Sequence, residues 1–301
     1  MFRSLMIGFL SCLAASTSAL AQSCTGDPVA VQILGSGAPG PVKDRANTSY
    51  LLWIGPQAKI LLDMGGGAFL RFGQSQAKFS DLSMILISHL HPDHVSDLPG
   101  LLWASRMTRS DSLPIIGPSG DAAAPSLSTF LSRLFDGKNG AFQVLGSIMP
   151  TGAANSGVVR LNPSDIDVTK PEPATVFDRD GIKVTALGIP HGNLPTLAYR
   201  VQTQGKTIVF SSDQNGTNPR FPAFAKGANL LVMHLAIGVG SNNPNQALPA
   251  LVGQIAQAAN PGRLVLGHIA QFDLEAAVAD VKRAYTGPLT VGADLQCTQV
   301  Q

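Results

Sequence analysis

The stretch His89-Leu90-His91-Pro92-Asp93-His94 places three of the chain's six histidines and one carboxylate within six positions. Imidazole nitrogens and carboxylate oxygens are the donors that zinc takes most readily, and manganese and iron accept them too. The buried-looking run at residues 84–88 leads directly into the motif, so the ligands leave the end of a strand. Alternate spacing aims His89 and His91 the same way, and the turn at Pro92 points Asp93 and His94 toward a second position. A loop with four such donors can serve two neighbouring ions. The remaining histidines, His191, His234 and His268, stand at or beside the ends of apolar runs at residues 184–190, 230–233 and 264–267, and Asp213 ends the run 207–212 in the same way. Strand ends gathered on one edge of a sheet are where a site is assembled from distant parts of a chain.

The elements that must position these groups alternate through the chain. Residues 29–34, 49–53, 60–62 and 84–88 read as strands and 96–107 as the helix that follows. Residues 182–187, 197–202, 207–211, 230–233 and 264–266 read as strands, and 246–259 and 274–285 as helices, the first stopped by Asn260-Pro261-Gly262. Such alternation fits an α/β domain of sheets covered by helices, and no linker divides it. Residues 136–173 break the rhythm with Gly, Asn, Ser, Thr and Pro around Phe142, Leu145 and Met149. They read as a long loop, suited to act as a lid or to run over the surface.

The chain has 301 residues and a formal net charge of +2, from 21 Lys and Arg against 19 Asp and Glu. That balance gives no strong field for gripping a polyanion, so charge-driven nucleic-acid binding is not expected. Residues 1–21 read as a signal peptide: Arg3 starts it, residues 5–20 are mostly apolar, and Ala19-Leu20-Ala21 is a cleavage pattern. The mature chain, residues 22–301, would be one periplasmic or secreted domain with no stable membrane span. Of its cysteines Cys24 and Cys297 lie near the two mature termini, and an oxidising compartment would allow them to pair.

The ordered motifs resemble the metallo-β-lactamase superfamily, and within it the ribonuclease Z-like branch. The likeness runs from Leu34-Gly35-Ser36-Gly37, with Arg45 and Thr48-Ser49, through Leu62-Asp63-Met64-Gly65 and the His89 motif. It continues through Ile116-Gly117-Pro118, Pro190-His191-Gly192, Ala198-Tyr199-Arg200, Ser211-Ser212-Asp213 and Leu266-Gly267-His268. The resemblance implies a four-layer αββα sandwich. It places His89, His91 and His191 on one divalent metal and Asp93, His94 and His268 on the other, with Asp213 bridging. Asp63 would orient the ligand loop or simply cap a turn. Zinc is the ion that best suits this set, and the family's relatives are often homodimers.

Two such ions bring a water between them toward neutral pKa, which suits hydrolysis of phosphoryl, sulfuryl or acyl esters. Asp93 and His234 are the candidate catalytic groups, His234 as proton donor to the leaving group or as a packing histidine. Relatives that mature transfer RNA carry a basic arm between the equivalents of Arg200 and Ile208, and residues 201–207 here can form only a tight hairpin. The reading is therefore a hydrolase of small phosphodiesters or aryl sulfates, without nucleic acid as partner. Lactone or other carboxylic ester hydrolysis stands as the alternative, as does a non-catalytic metal-binding protein on the same fold.

Overall fold

The computed structural model describes Cys24 and residues 26–152 and 155–301, and the proposed signal segment lies outside them. The first half supplies strands β1 (Val29–Gly35), β2 (Ser49–Ile54), β3 (Gln57–Leu62), β4 (Met84–Leu86), β5 (Ser112–Pro118) and β6 (Arg160–Ile166). Between them lie helices α1 (Ala68–Gln74), α2 (Pro92–Val95), α3 (Leu98–Ser105) and α4 (Leu127–Phe135). The second half supplies β7 (Ala174–Arg179), β8 (Ile182–Ile189), β9 (Thr196–Thr203), β10 (Lys206–Phe210), β11 (Leu230–His234), β12 (Leu264–Gly267), β13 (Leu289–Val291) and β14 (Cys297–Gln299). Its helices are α5 (Phe221–Phe224), α6 (Pro249–Ala259) and α7 (Leu274–Ala284).

Two seven-stranded mixed sheets result, ordered β14-β1-β2-β3-β4-β5-β6 and β13-β12-β11-β10-β9-β8-β7. Each sheet is apolar on both faces, so each must be covered twice. Val31, Ile33, Leu52 and Leu86 of the first sheet meet Val184, Val201, Ile208 and Val232 of the second in a shared core. On the outer face of the first sheet, Leu61 and Ile85 pack with Leu98, Leu101 and Leu131 of α3 and α4. Leu231 and Leu266 pack with Val252, Ile255 and Val281 of α6 and α7 on the outer face of the second. The expected four-layer αββα order is the observed one.

Local chemistry explains the element ends. Ser126 caps α4 by accepting from the Thr129 N–H, and Asp273 caps α7 by accepting from Ala276. Asn260 closes α6 in the left-handed region at φ 49°, which asparagine tolerates. Gln204 and Gly205, both at positive φ, make the two-residue turn between β9 and β10, so residues 201–207 form the tight hairpin expected of them.

Residues 136–173 do not form one long loop. They contain a 3-10 helix, Gln143–Ile148, and the edge strand β6. The strand escapes pattern reading because an edge position tolerates Pro163 and the polar side chains of Asn162, Ser164 and Asp165. Leu145 and Met149 are buried in the helix-side core at 1% and 5% exposure, and of the three apolar residues only Phe142, at 44%, faces outward. Among the described residues no helix is long and apolar enough to cross a membrane.

Cys24 and Cys297 form a disulfide with Cα atoms 5.7 Å apart, tying the segment before β1 to β14, which pairs with β1. Closing a loop of this length restricts the unfolded chain, so Cys297→Ser should cost about 3 kcal/mol of unfolding free energy. An unchanged urea midpoint in that variant would sink the claim. A second test concerns Ser212, held at φ 52° with its Oγ buried and lacking a hydrogen-bond partner among the described residues. Ser212→Gly relieves the left-handed strain and removes the orphaned hydroxyl, offset in part by glycine's larger unfolded-state entropy. The metal-free protein should gain about 1 kcal/mol, and a lowered midpoint would contradict the account.

Candidate metal centre

All the sequence-identified donors sit at or just past the C-terminal ends of strands, on one edge of the sandwich. His89 to His94 follow β4, His191 follows β8, Asp213 follows β10, His234 ends β11 and His268 follows β12. His89, His94 and His268 are fully buried, and Asp213 is 1% exposed.

They form two principal clusters, and Asp213, His234 and His268 also come within ligand distance of one another. In the first, His89 Nε2 lies 3.0 Å from His91 Nδ1, which lies 3.3 Å from His191 Nε2, and His191 Nε2 is 3.5 Å from Asp213 Oδ2. In the second, Asp93 Oδ2 is 3.1 Å from His268 Nε2 and 3.5 Å from His94 Nε2. Asp213 Oδ1 faces the same cluster, 3.2 Å from His268 Nδ1 and 3.7 Å from His94 Nε2. One Asp213 oxygen is thus turned to each cluster. His94 Nε2 and His268 Nδ1 are buried without hydrogen-bond partners among the described residues. Donors around a tetrahedral ion with bonds near 2.0–2.1 Å sit about 3.3 Å apart, which matches these spacings. Converging lone pairs, orphaned buried nitrogens and a borderline-hard donor set fit a dinuclear site for divalent cations.

Surrounding groups hold the ligands from behind. Asp63, at φ 56° after β3, accepts from the Ser88 N–H and Oγ–H at 2.7 Å each, and its Oδ2 accepts from His94 Nδ1–H at 2.8 Å. The carboxylate leaves Nε2 of His94 free to bind a metal, so Asp63 orients a ligand rather than merely capping a turn. The Asn245 carbonyl accepts from His191 Nδ1 at 3.0 Å and has the same effect there. Gln246 Nε2 donates to Asp213 Oδ2 at 2.8 Å. Asn245 and Gln246 carried no signal in sequence, because their contacts with His191 and Asp213 depend on how the turn before α6 folds back.

The electrostatics follow from crowding. Burial pushes His89 well below its ordinary value, and the neighbouring His94 adds to the effect. Burial also takes His268 down to about 3, with His234 and His94 reinforcing it against the opposing Asp213. Burial alone would raise Asp213, but His268, His234 and His94 hold its carboxyl well below the usual range. For His94 burial is overcome by Asp63, which draws the ring well above its ordinary value. Metal binding needs neutral imidazoles beside ionised carboxylates; His89, His268 and Asp213 are shifted toward those states, whereas His94 must give up a proton as a cation binds.

His234 is placed differently from the expectation of a proton donor. Its Nδ1 meets Asp213 Oδ1 at 2.6 Å, its Nε2 meets the Tyr50 hydroxyl at 3.2 Å, and the residue is 6% exposed. Both ring nitrogens are occupied inside the protein, so neither is free to reach a leaving group.

A cleft of about 320 Å³ is lined by His191 together with Pro190, Gly192, Leu194, Asp121 and Val168. A second, apolar cleft of about 420 Å³ is lined by Phe69, Ser96, Asp97, Trp103, Phe142 and Val144 and by none of the donors.

Residues 59–269 match the family model described as the beta-lactamase superfamily domain. Ribonuclease Z of Mycolicibacterium paratuberculosis is 30% identical over 295 residues, covering 90% of this chain and 98% of that protein. Ribonuclease Z of Mycobacterium avium is likewise 30% identical over 295 residues, with the same coverage. Among solved structures, the metallo-beta-lactamase fold protein YhfI from Bacillus subtilis superposes with a TM-score of 0.71 at 19% identity, covering 90% of this chain and 99% of that one. Human tRNase Z, short form, gives the same TM-score of 0.71 at 20% identity and the same coverage. The names of the mycobacterial relatives run against the expectation of a partner set without nucleic acid. The matched family model, the relatives and the shared architecture agree: the chain belongs to the metallo-β-lactamase superfamily, in its ribonuclease Z-like branch.

Proposed function

We propose that the protein is an exported hydrolase of small aryl phosphodiesters, with aryl sulfate esters as the second member of the same substrate class. The observation that carries the reading is Asp213, whose two oxygens face separate donor clusters and so suit a shared dinuclear centre. Two divalent cations, with zinc best matched to the donors, would lower the pKa of water and withdraw charge from the ester oxygens. His89, His91, His191 and Asp213 would hold one, and Asp93, His94, His268 and Asp213 the other.

The chain's own groups define the rest. Asp93 commits Oδ2 to His268 and His94, and we assign its other oxygen to take the proton released by the attacking water. The cleft at His191, which Pro190 and Leu194 also line, receives the ester. Trp103 and Phe142, on the apolar cleft that Ser96 and Asp97 also line, are the surface we assign to an aryl group.

The six histidines are now accounted for, five facing the metal clusters and His234 locked inside. None remains to protonate a departing alkoxide. Substrates with acidic leaving groups need no such donor, which favours phenolate over sugar hydroxyl departure. The short β9–β10 hairpin supports the same choice. Export is supported by the pattern of Arg3, the apolar run and Ala19-Leu20-Ala21. The Cys24–Cys297 disulfide adds to it, since such bonds persist in oxidising compartments.

A second reading, processing of RNA, draws on the 30% identity to two proteins named ribonuclease Z over 90% of the chain. One panel separates the two: metal-replete protein with bis-nitrophenyl phosphate, nitrophenyl sulfate, an aryl lactone, and an RNA with a 3′ extension. The aryl phosphodiester should turn over fastest, and added chelator should abolish it. Alkyl-leaving phosphodiesters should be at least about 100-fold slower than aryl ones, the ordinary worth of a missing general acid. Faster cleavage of the RNA than of the aryl ester would transfer the assignment to the second reading, and turnover of the lactone alone would make the protein a carboxylic esterase.

A further inference from the structure

Behind Asp213 lies a chain of contacts that crosses between the sheets. Tyr50 is fully buried on β2 of the first sheet, and its hydroxyl reaches His234 Nε2 on β11 of the second. His234 Nδ1 then meets Asp213 Oδ1 at 2.6 Å. The donor order follows from Asp213: an ionised carboxylate only accepts, so Nδ1 carries the proton, and the lone pair left on Nε2 accepts from the tyrosine O–H.

Three further features hold the relay in place. The His234 backbone N–H donates to Ser211 Oγ at 3.1 Å. Its ring stacks on His268 with centroids 4.6 Å apart and 16° between planes. Gly267, at the end of β12, leaves the room that the phenol needs, because a Cβ there would lie 2.4 Å from the Tyr50 hydroxyl oxygen. Its glycine is required by this approach and not by backbone conformation, since its φ is not positive.

We propose that Tyr50 and His234 are positioning residues that fix the tilt of Asp213 and thereby govern how tightly the cluster of Asp93, His94 and His268 holds its metal. This rests on the dinuclear reading above. Oδ1, the oxygen that faces that cluster, accepts from His234 Nδ1–H, while Gln246 steadies Oδ2 from the other side. Without His234 the carboxylate can rotate about its Cβ–Cγ bond, and the Oδ1 end is the one released.

The test measures metal content and chelator-competition affinity of the full chain, with cobalt absorption spectra as a second readout. Wild-type protein should hold two equivalents, and fewer would overturn the dinuclear reading and the proposal with it. His234→Leu should weaken one of two equivalents by about 10–100-fold, the usual effect of losing a group that orients a ligand. Tyr50→Phe, which keeps the ring packing, should weaken the same equivalent by up to about 10-fold, and Gly267→Ala should reproduce it. His234→Asn places an amide N–H near the former Nδ1 and should restore both affinity and the cobalt spectrum, although asparagine cannot act as an acid. Unchanged affinity in His234→Leu overturns the proposal. So does a His234→Asn variant that behaves like His234→Leu in either metal affinity or turnover.

Discussion

The interaction on which this structure turns is the convergence of imidazole and carboxylate donors that are mostly buried from solvent. Five histidines, Asp93 and Asp213 point inward at spacings of 3.0 to 3.7 Å, and His94 Nε2 and His268 Nδ1 have no hydrogen-bond partner among the described residues. An isolated buried polar group of this kind costs on the order of 1–3 kcal/mol, and an unpaired charge more. Divalent cations turn the same arrangement from a liability into a bound site. The donors are therefore preorganised to receive cations.

Everything around that point can be understood as holding it open. Two sheets are needed because one sheet edge cannot supply donors from all sides. Strands β3, β4, β8, β10, β11 and β12 all deliver their C-terminal ends to one rim, where the chain leaves the sheet and side chains can turn back over it. The turning is costly: Asp63, Ser212 and His268 all take left-handed backbone, with φ of 56°, 52° and 52°. Non-glycine residues accept such conformations only where the surroundings over-determine them, and here each lies in or next to the ligand set. The disulfide at the opposite termini secures β14 against β1.

Much of this was legible in the sequence. The run into His89 is apolar because β4 is buried on both faces between β3 and β5, and a continuous apolar run is the signature of such a strand. The ligands were legible for the same reason, since each follows a run of that kind. The strand β6 was not, because its edge position removes the requirement for apolar alternation that reading depends on. Nor were β13 and β14, three residues each and too short to show a period. Helix α4 carried a usable pattern in Leu127, Leu131 and Phe135, one apolar residue per turn, but serines and threonines between them diluted it. Tyr50, Asn245 and Gln246 were beyond reach, because side chains that meet across sheets leave no mark in local spacing.

His234 shows how a residue type can be read correctly and its role still depend on direction. In sequence it stood beside the site with a ring of suitable chemistry, and chemistry alone cannot say which way a ring faces. Its place at the end of β11 follows the period of that strand: Leu230, Val232 and His234 point into the core between the sheets, while Leu231 and Met233 point to the helices. A histidine on the inner face meets the second sheet's partner, here Tyr50, before it meets solvent. Period two along one short strand thus turns this ring away from the open side of the centre and sets it against Asp213 and Tyr50. Under the function proposed above, the same orientation would favour esters whose leaving groups depart without help, so that a packing constraint between two sheets would become a constraint on substrate.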